Sequence, residues 1–396
     1  MKNLRRPLAA LCAALLLGGC SFLPFRREAP RPGRTKLASP LVVLPAQTIG
    51  TYLVIEAKWD RSGPYRFIID TGSSVTLVTS AFAKRYSDTS GPIPDAPRVR
   101  VTSADGRTAE LPATSVRELS LGDARFSDVP ALIYDCAPLS AHLGVKIDGV
   151  LGFPLFRETL LTLDYPHSRV VLQPRNPVTL LPGFTLPFDD SRKTPVITVR
   201  LGERTIVALI DSGSDAPLSL NPFGLTPAFA NGPRAGATVG TLTGDRVQKI
   251  GRLADTLIIG GYALPRPVVD LTDNLSAIGG DVLKNFTVTF DQERDRVTFF
   301  RDSREPVPSA PQRSAGVSFS KTPAYWRIAG VVPGSPAEAQ GVRTGDLVTR
   351  IDGEPIAKWD LRRYEQLVAS AKEISFTFLN GTRESEKRVA VFELVP

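Results

Sequence analysis

Histidine and cysteine are nearly missing from this chain of 396 residues, which carries two of the first and three of the second. His142 and His167 have no close ligand cluster, so metal catalysis and a histidine-based nucleophile are both poorly supported. Cys12 and Cys20 fall in the N-terminal segment, which leaves Cys136 alone and excludes an internal disulfide; a buried bystander is the role expected of it. The N-terminal apolar core, Leu8 to Leu17, is too short to span a bilayer stably. A strong charge of one sign is lacking as well. The formal +8 becomes +5 once Lys2, Arg5 and Arg6 are removed, too modest and dispersed to argue for nucleic acid, and no stacking or phosphate-loop motif supports one. No cofactor is expected.

What is present suits a globular protein of two or three domains, with 42% apolar residues to fill its cores. Met1 to Gly19 reads as an export signal, with Lys2, Arg5 and Arg6 ahead of the apolar core. Leu17-Gly-Gly-Cys20 resembles a bacterial lipobox, which implies lipidation of Cys20, a membrane anchor and a periplasm-facing place in the cell envelope. An ordinary signal with an incidental cysteine is the alternative. Ser21 after the cysteine implies, by the same resemblance, sorting to an outer membrane. Residues 20–40 contain Arg26, Arg27, Arg31, Arg34 and Lys36 among prolines and read as a solvated tether.

Phe67-Ile-Ile-Asp70-Thr-Gly-Ser-Ser is an apolar run that breaks at a carboxylate into a tight turn, and Val207-Ala-Leu-Ile-Asp211-Ser-Gly-Ser repeats it. Downstream lie Val150-Leu151-Gly152 and Ala277-Ile278-Gly279. Twelve residues after each glycine stand Asp164 and Asp291, and five further on Arg169 and Arg296, each opening an apolar stretch. A whole lobe is duplicated. The distance from Asp to the downstream Gly is 82 residues in the first copy and 68 in the second, so an insertion or deletion falls between these anchors.

Two Asp-Thr/Ser-Gly turns, each paired with an apolar-apolar-Gly segment, resemble the pepsin and retropepsin class of aspartic proteases over roughly residues 41–303. The resemblance implies a mainly β, two-lobed fold, lobes at 41–178 and 179–303, and Asp70 and Asp211 as the catalytic pair. Thr71, Gly72, Ser212 and Gly213 complete the turns, and the two hydroxyls are expected to bond across to the opposite loop. Two carboxylates about 3 Å apart share one proton; one activates water while the other protonates the substrate carbonyl. Hydroxyls of Ser73 and Ser214 donating to the carboxylates would lower their pKa and favour acidic pH. Asp215, where the first copy has Ser74, is expected to point to solvent.

A hairpin turning at Asp105-Gly106 and another turning near Gly244 follow the two aspartates and read as flaps over an extended polypeptide substrate; ordinary surface hairpins are the alternative. Residues 304–315 read as a linker. Val331-Val-Pro-Gly-Ser-Pro-Ala-Glu-Ala, Gly345-Asp-Leu-Val and Ile351-Asp-Gly-Glu-Pro-Ile then resemble the α+β PDZ domains of bacterial envelope proteases, covering 316–396. That resemblance implies peptide or C-terminus capture beside a groove strand expected at Arg327 to Val331. Pro323-Ala-Tyr-Trp326 stands where a Gly-Leu-Gly-Phe-type loop is usual, so a purely structural domain remains the alternative. With both lobes in one chain, a monomer suffices. The reading is an exported aspartic endopeptidase whose PDZ domain recruits or positions substrate. A peptide-binding scaffold lipoprotein without catalysis is the competing class, and intact residues at both turns count against it.

Overall fold

The computed structural model of the protein describes residues 34–59, 62–87, 96–103, 106–175, 180–241 and 243–396. The segment read as an export signal, Cys20 and the first part of the expected tether lie outside the described residues, as does Asp105. Most of the chain is β-strand. Among the described residues no helix is long and apolar enough to cross a membrane.

In the first lobe, strands Tyr52–Trp59 and Ser62–Asp70 form an antiparallel pair. The second of these also runs parallel to Gly149–Gly152, with Phe67 opposite Gly149 and Asp70 opposite Gly152. Neighbours on both edges and apolar layers on both faces explain why Phe67, Ile68 and Ile69 form an unbroken apolar run rather than an alternating one. The second lobe repeats the arrangement: Arg204–Ile210 pairs with Val196–Leu201 and runs parallel to Ala277–Ile278. The glycine closing each downstream segment has a steric cause. A Cβ on Gly152 would strike the Val75 carbonyl, and one on Gly279 the Ala216 carbonyl, because the loop after each aspartate crosses directly over it. Helices α1 (Ser80–Tyr86) and α2 (Ala137–Leu143) have no counterpart among the described residues of the second lobe, which accounts for the longer first spacing. At its downstream glycines the second lobe has the short α3 (Gly280–Leu283).

The lobes are joined by one six-stranded antiparallel sheet, running Val42–Ile49, Arg169–Pro174, Thr159–Asp164, Thr287–Asp291, Arg296–Phe300, Phe184–Asp189. Its register is symmetric: Leu160 faces Asp291, Asp164 faces Thr287, and Thr162 faces Thr289 with hydroxyls 2.9 Å apart. These two threonines are equivalent in the duplication and mark its pseudo-two-fold axis. Asp164 is buried and held by Arg169 at 2.6 Å, His167 at 2.8 Å and the Thr287 hydroxyl at 3.1 Å. Its counterpart Asp291 takes Arg294 at 2.6 Å. One contiguous apolar core fills both lobes.

The PDZ-like domain has its own core and a sheet ordered Val317–Lys321, Trp326–Val331, Leu347–Ile351, Glu373–Asn380, Arg383–Ala390. Helix α4 (Pro336–Ala339) is capped by Ser335, and α5 (Leu361–Ser370) by Asp360, with Tyr364 and Val368 turned inward. Arg327 to Val331 is not the groove strand expected. It pairs along its length with Val317–Lys321 and at its start with Leu347–Ile351, so the strand at the sheet edge is Val317–Lys321.

Residues 304–315 are packed rather than loose: Val307 is buried in the lobe core and Gln312–Ser314 pairs with Phe392–Val395. The domain meets both lobes. Leu361 of α5 lies on a first-lobe cluster of Ile49, Tyr52, Val54, Ile68, Leu143 and Ile147, while Val332, Leu394 and Val395 bury Ile250 and Val268 of the second lobe. Arg252, 5% exposed, donates to carbonyls of Arg266, Ser309, Ala310 and Pro396 across that seam.

Candidate active site

Each parallel ladder delivers one aspartate to the midline between the lobes. The turn behind it is locked by a reciprocal set of hydrogen bonds. Thr71 Oγ1 donates to the Ile210 carbonyl at 2.7 Å and accepts the Ser212 N–H at 3.0 Å. Ser212 Oγ donates to the Ile69 carbonyl at 2.8 Å and accepts the Thr71 N–H at 2.9 Å. Both side chains are fully buried, so each hydroxyl satisfies backbone groups that would otherwise be orphaned.

With the loops so fixed, Asp70 and Asp211 hydrogen-bond to each other through their carboxyl groups. The glycines of the two turns make this approach possible. A Cβ on Gly72 would collide with the Asp211 carboxylate, and one on Gly213 with that of Asp70. Each carboxylate also accepts the amide of its own turn glycine, Gly72 at 2.8 Å and Gly213 at 2.9 Å.

Burial pushes Asp70 up to about 6, against the lowering effect of the Gly72 and Ser73 amides. Asp211 is raised well above the usual carboxylate range by burial, then by the Asp70 charge, with a further contribution from Asp215. Both carboxyls are pushed up, so the pair shares one proton and titrates as a unit. Ser73 and Ser214 do not donate to the pair: Ser73 Oγ donates to the Val75 carbonyl at 2.8 Å, and Ser214 Oγ accepts the Ala216 amide at 3.3 Å. The acidic preference expected from these hydroxyls therefore loses its cause, and burial moves the pair toward neutrality.

Asp215 does not point freely to solvent as expected. It is half-buried with Oδ2 3.4 Å from Nε2 of His142, on α2 of the opposite lobe. Burial alone would raise Asp215, but the hydrogen bond and charge of His142 hold it below the usual range. Tyr52 is buried beside the site, its phenol raised by burial and then by Asp215, Asp211 and Asp70. Neither His142 nor Tyr52 has a mark in the sequence, since each is brought in from a distant element. Cys136 is buried at the N-terminus of α2, its thiol pushed up to about 12 by burial, which makes it an inert bystander. Among the described residues no group of three or more His, Cys, Asp or Glu could hold a metal ion.

Both hairpins form, Arg98–Thr102 with Thr108–Leu121 and Phe229–Thr241 with Gly244–Leu253. Their tips converge from the two lobes. A side chain on Gly106 would touch Asn274 of the second lobe, and one on Gly244 would approach the Arg107 guanidinium. The returning strand of the second hairpin is stapled by fully buried Asp270, which pairs with Arg246 near the tip at 2.5 Å and accepts the Lys249 amide at 3.0 Å.

No curated protein matches this chain. Residues 55–155, which carry the first turn, its hairpin and Gly152, match the family model for an aspartyl protease, and residues 327–378 match that for a PDZ domain.

Proposed function

We propose that the protein is a single-chain aspartic endopeptidase in which Asp70 and Asp211 activate a water molecule against a peptide bond. The observation that carries this reading is the carboxyl pair hydrogen-bonded across the lobe boundary on a floor cleared by Gly72 and Gly213. Ionised Asp70 takes a proton from water as the water oxygen bonds to the substrate carbonyl carbon, and protonated Asp211 gives its proton to the carbonyl oxygen. In the second step Asp70 returns its proton to the amide nitrogen as the C–N bond breaks, and the diol hydroxyl reprotonates Asp211. Atoms and charges balance with no covalent adduct. The two flap hairpins would lie over an extended substrate and limit water access. The PDZ domain recruits or positions substrate. Lipidated Cys20 anchors the whole at the cell envelope.

The test is cleavage of a broad peptide library by the chain from Ser21 onward, beside Asp70→Asn and Asp211→Asn. Loss of about 10³-fold or more in both variants is expected, since each removes one half of the acid and base pair. An inert parent that still binds peptides would favour a non-catalytic scaffold.

A further inference from the structure

The edge strand of the PDZ domain is gripped by both lobes. Ser318 Oγ accepts the N–H of Thr238 in the second flap at 3.0 Å, and Gly330 of the neighbouring strand leaves no room for a side chain against Thr238. At the end of the edge strand Lys321 is only 6% exposed. Its Nζ donates to the carbonyl of His142 at the C-terminal turn of α2 and lies 5.5 Å from the centre of the Trp326 ring. A cation on a last-turn carbonyl steadies a helix end. The imidazole of that same His142 faces Asp215, four residues beyond Asp211. An ammonium from the third domain, a helix of the first lobe and a carboxylate of the second thus stand in series beside the dyad.

We infer that Lys321, although in the PDZ domain, is a positioning residue of the catalytic centre, pinning α2 so that His142 stays on Asp215 and tempers the negative charge the dyad meets. The inference rests on the reading of Asp70 and Asp211 given above. Other groups face Asp215: Tyr52 from the first lobe and Asp211 on its own loop. Glu365 of α5, with Lys284 of the second lobe beyond it, adds charge of the opposite sign to Lys321. Burial pushes Lys321 down to about 8, so it is charged throughout the acidic range. Without it, Asp215 is less compensated. A nearby bare carboxylate favours the protonated form of the pair, so both limbs of the pH profile move to higher pH. Asp215→Asn moves them the other way.

The experiment compares the parent chain with Lys321→Met, Lys321→Arg, Asp215→Asn and the Lys321→Met/Asp215→Asn double variant. One readout is the pH–rate profile on a cleaved peptide. The other is the ring proton NMR spectrum, in which His142 and His167 are the only histidines and single replacements assign them. Lys321→Met is expected to move both limbs up by about half a pH unit or more and to shift the His142 signals while leaving those of His167 in place. Lys321→Arg should restore the parent profile, and in the Asp215→Asn background Lys321→Met should move the profile little. A Lys321→Met profile that only loses amplitude, or a shift that survives intact without Asp215, overturns the inference. Should the parent cut no peptide, the proteolytic reading falls and the His142 signals decide the rest: unchanged signals in Lys321→Met overturn the positioning role, shifted ones uphold it.

Discussion

Each aspartate of the pair accepts the amide of its turn glycine, and for Asp70 the Ser73 amide helps, but these donors do not offset the loss of water around the two carboxyls. Two predictions follow from the sign of that imbalance. Cleavage should climb as pH rises through about 6, where the pair gives up the first of its two protons and keeps the second, and a pH–rate profile checks it. Stability should run the other way. A carboxyl whose folded pKa is raised contributes stability fully present below its ordinary value of 3.8 and lost as pH rises through about 6. Asp70→Asn, neutral at every pH, should therefore be more stable than the parent at pH 7.5 by about 1 to 3 kcal/mol, with no advantage near pH 4, as read by thermal unfolding. Both aspartates were legible in the sequence because strand, turn and glycine are contiguous. His142, Tyr52 and Lys321 were not, since what matters about them is which distant loop they touch.

At the scale of elements, the crossing of each post-aspartate loop over its downstream glycine leaves no room for a side chain. Gly279→Ala would drive a methyl into the Ala216 carbonyl, so a loss of about 3 kcal/mol or more is expected, with activity falling alongside melting temperature. Thr71→Val leaves the Ser212 amide without its acceptor and the Ile210 carbonyl without its donor. About 2 to 4 kcal/mol should be lost, and urea titration of the variant measures it. The repeat of apolar-apolar-Gly could be read from sequence for the same reason that these contacts are strict: only glycine fits. The PDZ groove strand could not be read in this way. Local patterning gives the strands but not their order across a sheet, and it is order that puts Val317–Lys321 at the edge and Arg327 inside.

For the molecule as a whole, the third domain is joined by packing rather than by a tether. A chain ending at Arg304 would uncover Ile250, Val268 and the first-lobe cluster under Leu361, and would strip Arg252 of Ser309, Ala310 and Pro396. Its melting temperature should fall by about 5 °C or more, at roughly 2–4 °C per kcal/mol for a body of this size. Residues 304–315 read as a linker because proline recurs in them, yet proline also suits a fixed extended path, and Val307 supplies the anchor. The six-stranded sheet between the lobes bears on how the chain is made. Val42–Ile49 emerges from a ribosome early, but the sheet it joins is completed only when Thr287–Asp291 and Arg296–Phe300 have followed. Until then the first lobe carries Thr159–Asp164 as an open, apolar edge, so the nascent chain has a long interval in which a holding chaperone, or a second copy of the same strand, can take the place its own second lobe will later fill.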